Sequence, residues 1–312
     1  VVAAGWLTLT QGRPRSMFAM TTREHASDPD SPRRTVSGEE GGRAVERFTV
    51  HHDGVTIPVS RGGRGRPLVL CPGLNSTQAD LHGLVGLLRQ DHEVVTFDLR
   101  GHGLAPAADR YSFDAFLSDL AAVLADPRSV GPASPPVLVG YSLGADLAVH
   151  HASAHPGSIA GLVLIDGANP LPEPFIGATD LAVFRAMADD LARSQERGRT
   201  GGGAHRVLLT AQDIHVLNLE IDVVRSGILD LYRRIDRPVS MIMSRSIAGD
   251  GGEGRAPRHN RLWRDGIERL VGERPDVTAS WLDADHRLVF THAPEIARII
   301  RRATGRMGRG AS

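Results

Sequence analysis

The chain contains no lysine; all 36 of its basic residues are arginine. Schiff-base chemistry on a lysine and the lysine of a P-loop phosphate site are therefore excluded. The absence fits GC-rich coding bias better than it fits any site. A single cysteine, Cys71, rules out an intramolecular disulfide and a cysteine-only metal centre, and makes a reducing compartment, the cytoplasm, the expected location. Acidic residues also number 36, so the formal net charge is +0 and gives no reason to expect nucleic acid or a membrane surface as partner. No apolar run is long enough to span a bilayer, since the opening Val1 to Thr10 is short and has no basic region ahead of it. The 14 histidines include no H-E-x-x-H, and the one H-x-x-x-H pair, His151 and His155, has no evident third ligand. Both suit the end of a helix stopped by Pro156-Gly157. No metal and no organic cofactor is expected.

What remains is ample length. At 312 residues there is room for one large domain with a substantial core. Residues 1–44 are dominated by Ser, Asp, Pro, Arg, Glu and Gly, a composition that buries too little to offset ordering entropy, and read as a disordered tail. Met17 or Met20 is the expected natural start, and 305–312 reads as a second tail. Between the tails, short β-favouring runs alternate with helical patterns. Glu46 to Val50 and Val55 to Val59 flank His52-Asp53-Gly54 as a hairpin. Strands follow at Pro67 to Leu70, Glu93 to Phe97, Val137 to Val139, Gly161 to Ile165, Pro238 to Met243 and Val277 to Leu282, with helical patterns between them. That rhythm predicts an α/β fold with a mostly parallel sheet wrapped by helices. Residues 169–236 interrupt it, with helices expected over Leu181 to Ser194 and Val216 to Ile235 on either side of Gly198 to Gly203. Long insertions of this kind serve as lids. The expected organisation is a core of 45–168 and 237–304, with a helical cap at 169–236 after the sixth core strand.

One stretch organises the rest. Val137-Leu138-Val139 ends at Gly140-Tyr141-Ser142-Leu143-Gly144, and an alanine-rich helical stretch begins at once. G-x-S-x-G between a strand and a helix is a nucleophile elbow, a sharp turn that exposes the serine hydroxyl beside a helix N-terminus. Serine is a weak nucleophile at its ordinary pKa, so Ser142 needs a base, and the base needs an orienting partner. His286 stands after the last strand, where an elbow-type protein carries its base, whereas His292 reads as a helix cap.

Taken together, Pro72-Gly73-Leu74, Asp98-Leu99-Arg100-Gly101-His102-Gly103, the G-Y-S-L-G elbow and D-H-x(7)-P-E-I-A resemble the α/β-hydrolase superfamily over about Phe48 to Arg302. The resemblance implies the α/β-hydrolase fold and an oxyanion hole formed by the backbone N–H groups of Leu74 and Leu143. Pro72 replaces a frequent histidine, and the G-H-G stretch is expected to be structural. The acid of such sites usually follows the strand after the cap, but that slot falls near Ser246 or Ile247, neither a carboxylate. Asp166 is the preferred acid, because Leu164 to Pro170 resembles polyketide-type thioesterases, which place theirs there. Asp250 is the alternative, with Glu253 behind it. The implied activity is a serine hydrolase that cleaves an ester or thioester through an acyl-enzyme intermediate. The alternative is a non-hydrolytic lyase, cyclase or ligand-binding protein on the same fold. Phe175, Leu181, Phe184, Met187, Leu217, Ile221 and Ile228 make an apolar small-molecule acyl substrate the expected partner, although most of them are expected to pack the cap onto the core. A second copy of the chain, docking through the cap, is a further candidate partner.

Overall fold

The computed structural model describes residues 44–131, 134–198 and 203–307. The tail up to residue 43, residues 308–312, and positions 199–202 of the glycine-rich stretch lie outside the described residues.

Strands β1 (Glu46–His52) and β2 (Val55–Gly63) form the expected hairpin, turning on Asp53 and Gly54 with φ of 49° and 71°. The remaining strands are β3 (Arg66–Cys71), β4 (His92–Phe97), β5 (Val137–Tyr141), β6 (Gly161–Ile165), β7 (Val239–Ser244) and β8 (Thr278–Leu282). They join in one eight-stranded sheet of order β1-β2-β4-β3-β5-β6-β7-β8. Pairing is antiparallel for β1–β2 and β2–β4 and parallel from β4 onward. The middle strands β5 and β6 are buried along their whole length, which is why they read as unbroken apolar runs.

Side-chain alternation sorts those runs into two cores. Val69, Cys71, Leu138, Leu162 and Leu164 face one way, against α2 (Phe113–Ala125) and α3 (Leu143–Ala154). Leu68, Leu70, Val139, Val163 and Ile165 face the other, against α1 (His82–Leu88), α8 (Leu288–Thr291) and α9 (Ala293–Met307). Cys71, fully buried at the end of β3, is the one thiol, and burial pushes its pKa up.

Between β6 and β7 lie α4 (Leu181–Gly198), a 3₁₀ turn (Gly203–His205), α5 (Ala211–Ser226) and α6 (Ile228–Arg234). The single helix expected over Val216 to Ile235 is two helices, broken at Gly227, and it starts early. Thr210 and Asp213 close a capping box that begins α5 at Ala211. Helix α1 begins at His82, after a run of turns over residues 78–81 in which Thr77 N–H and Oγ1 both donate to the Asp80 carboxylate. The last long interior helix, α7, spans Ala256–Glu273. Helix α9 continues through Met307, held by buried Thr304 and Met307, three residues into the stretch expected to be tail. Among the described residues, no helix is long and apolar enough to cross a membrane.

Candidate active site

Ser142 occupies the turn between β5 and α3 with φ 52° and ψ −120°, a sparsely populated conformation for a residue with a Cβ. Two close approaches force the turn to be this tight. A Cβ on Gly140 would lie 2.3 Å from the carbonyl oxygen of Gly144, and one on Gly144 would lie 2.3 Å from that of Cys71. The flanking glycines are therefore what lets the first turn of α3 pack onto the ends of β5 and β3. Among the described residues, five non-glycine residues have positive φ, and four of them (Asn75, Ser142, Asp166 and Ala168) sit in loops leaving the C-terminal ends of β3, β5 and β6. Backbone strain is concentrated along the edge where open α/β sheets carry their ligand sites.

The structure brings three of the candidate side chains together. His286, on the loop after β8, has Nε2 2.9 Å from Ser142 Oγ and Nδ1 2.9 Å from Asp166 Oδ2. With Nδ1–H donating to the carboxylate, Nε2 is left as the acceptor for the serine hydroxyl. Asp166 is fully buried, and its oxygens are surrounded by donors. Oδ1 accepts from Ser244 N–H and Trp263 Nε1–H, each at 2.9 Å. Ser244 Oγ lies 2.9 and 2.8 Å from the two carboxyl oxygens. Asp250 sits exposed on the loop after β7.

Leu143 is the first residue of α3, so its N–H is among those a helix leaves without an intrahelical acceptor. Leu74 follows Gly73, whose N–H and C=O are both bonded to the Ser76 hydroxyl, at 2.9 Å each. Leu74, Leu143 and Ser142 line the same cavity.

Three residues with no assigned role in the sequence reading hold this arrangement. Tyr141, beside the serine in the elbow, donates its hydroxyl to the His286 carbonyl at 2.8 Å and lies 5.4 Å, centroid to centroid, from the imidazole. Burial pushes the phenol pKa up, so the hydroxyl stays a donor. Ser244 ends the strand beside β6 and so falls next to Asp166. Trp263 reaches the same carboxylate from α7.

His102, read as structural, supports the Leu74 loop. Its Nδ1 faces the Arg100 carbonyl at 2.9 Å, so Nε2 accepts the Asn75 N–H at 3.2 Å. Burial lowers this imidazole from 6.5 to about 4, and His151 to about 4 as well. A histidine harder to protonate when folded contributes stability that is whole above its unfolded pKa of 6.5 and is lost as pH falls toward about 4. Unfolding free energy from urea titrations is expected to decline across that window, and less steeply in His102→Gln. An unchanged slope in the variant would place the proton uptake elsewhere.

Above the serine lies a cavity of about 170 Å³. The inserted helices contribute Phe184, Met187, Leu191, Ile214 and Ile221 to its wall. Of the seven apolar residues singled out in the sequence, Phe175, Phe184, Met187 and Ile221 line the cavity. Leu217 and Ile228 are buried in the core, and Leu181 is 42% exposed. Ile221 is buried in the same core and Phe175 packs against it, so packing onto the core accounts for four of the seven. Arg225, from α5, makes a two-pronged ion pair at 2.9 and 2.7 Å with Asp146, a fully buried residue of α3. Further along, Gly103 N–H donates to the Arg206 carbonyl and Leu208 N–H to that of Gly101, tying the insertion to the G-H-G loop. Among the described residues, no group of three His, Cys, Asp or Glu side chains is placed to hold a metal ion.

Comparison with known proteins agrees with this topology. Residues 66–220 match the family model described as the alpha/beta hydrolase fold. Lipase LipV of Mycobacterium tuberculosis is 46% identical over 125 residues, which are 40% of this chain and 44% of LipV. The chain thus spans less than half of that curated relative's length. Two solved structures, each 20% identical, share the fold. E-2-(acetamidomethylene)succinate hydrolase aligns with a TM-score of 0.62 over 84% of this chain and 99% of its own. The thioesterase domain from the curacin biosynthetic pathway aligns with 0.55 over 83% and 99%. The sheet order, the elbow between β5 and α3 and these likenesses identify the chain as a protein of the α/β-hydrolase fold.

Proposed function

We propose that the chain is a serine hydrolase that cleaves an ester or thioester through an acyl-enzyme intermediate. The observation that carries this reading is the hydrogen-bonded run Ser142–His286–Asp166, opening into an apolar cavity. In this reading Ser142 Oγ attacks the acyl carbonyl while His286 Nε2 takes the hydroxyl proton. The Leu74 and Leu143 N–H groups stabilise the oxyanion that develops. His286 then gives its proton to the departing alcohol or thiol. A water molecule, deprotonated by the same nitrogen, releases the acid. Asp166 holds the imidazole in the tautomer this needs.

LipV is a lipase by name, and the curacin domain a thioesterase. Both act on acyl groups, in keeping with a cavity walled by Phe, Met, Leu and Ile. Helices α4 to α6, within residues 169–236, act in this reading as a cap over the core of 45–168 and 237–304, and the cytoplasm is the proposed location. The alternative is a non-hydrolytic lyase, cyclase or ligand-binding protein on the same fold, for which a site lacking an acid beside its base would speak. The contact between Asp166 and His286 favours hydrolysis.

A fluorophosphonate probe tests the proposal. Intact mass is expected to rise by one adduct, and peptide mapping to place it on Ser142. A folded protein that takes up no probe, or takes it up elsewhere, sinks the reading.

A further inference from the structure

Trp263 stands where the inserted helices and the triad meet. It is 2% exposed, lines the cavity, and donates Nε1–H to Asp166 Oδ1, while His286 engages the other oxygen, Oδ2. Partners on opposite oxygens restrict rotation of the carboxyl group, whose plane decides where Nδ1 of the histidine can sit. Trp263 is itself held through both its backbone and its ring. Asn169 donates to the Trp263 carbonyl at 2.6 Å, and Phe175 meets the ring edge-on at 5.8 Å. The Arg225 guanidinium lies 5.6 Å from the ring centroid, fixed by its ion pair with Asp146. A cation over the ring draws electron density from the indole and strengthens N–H donation. The run Asp146–Arg225–Trp263–Asp166–His286 thus leads from α3 through inserted helix α5 to the base.

We infer that Trp263 is a positioning residue for the triad acid, and that Arg225 transmits the placement of the inserted helices to it. The inference rests on the hydrolase reading above. Trp263→Phe keeps most of the packing volume and removes the N–H. It is expected to lower kcat on the order of tenfold, the scale of one hydrogen bond to a charged group, with KM little changed. A residue acting merely as cavity wall would change KM and leave kcat in place, and this outcome overturns the inference.

Wild-type protein carries a second test that does not depend on the variant folding. Of the three tryptophan indole N–H resonances, the one assigned to Trp263 by elimination with Trp6→Phe and Trp281→Phe is expected to be protected from exchange. It should shift when a fluorophosphonate occupies Ser142. A rapidly exchanging or unmoved resonance overturns the inference. Probe uptake that survives in Ser142→Ala would instead bring down the hydrolase reading itself, so the two failures are separable.

Discussion

Ser142→Ala is expected to lower ester turnover by about a million-fold while leaving the protein folded. The chemistry loses its nucleophile outright. The fold is indifferent to the change for a specific reason. The elbow is strained because a residue with a Cβ sits at φ 52°, and alanine has the same Cβ. The backbone bond from residue 142 N–H to the Ile165 carbonyl, 2.9 Å, is also untouched. Thermal midpoints of the two proteins should therefore agree closely, so that lost activity reads as lost chemistry. Turnover retained in the variant would remove Ser142 from the mechanism.

Asp166→Asn is expected to cost about 10⁴-fold in kcat, more than removal of an ordinary hydrogen bond, because it inverts the base. Ser244 N–H and Trp263 Nε1–H both point at the position of Oδ1 and can only donate. The oxygen of the asparagine amide must take that place, which turns its NH₂ toward His286 Nδ1. Nδ1 then has to accept, its proton moves to Nε2, and the nitrogen facing Ser142 becomes a donor unable to take the hydroxyl proton. Asp250→Asn, on an exposed loop, is the matched control and should turn over like wild type. If instead the Asp250 variant collapses and the Asp166 variant does not, the acid has been misassigned.

The two carboxylates also mark how far the sequence could be read. The elbow was legible because its requirements are local: a strand, two glycines in van der Waals contact with backbone, and a helix, all within a few residues. Chain order pointed to His286 as the candidate base. Asp166 was preferred over Asp250 as the candidate acid through a resemblance and not through local pattern, because the choice depends on how β6 and β7 lie side by side and on Asp166 taking φ 47°, neither of which leaves a mark at Asp250. Trp263 lies 97 residues from the carboxylate it contacts, and a tryptophan on an amphipathic helix looks the same whether its indole N–H meets solvent or an acid. The inserted helices were found by their helical pattern, but the inward turn of Phe184 and Met187 depends on packing against the core.

Cys71 lies beneath the elbow, its backbone carbonyl in the path of any side chain at position 144 and its sulfur sealed in the sheet. A thiol there ionises poorly and meets no solvent, so a modifying reagent must wait for β3 and α3 to part. With one sulfhydryl in the chain, its modification rate becomes a clock for opening of the central sheet. Thiol reagents that inhibit this protein without unfolding it would be acting through some other group.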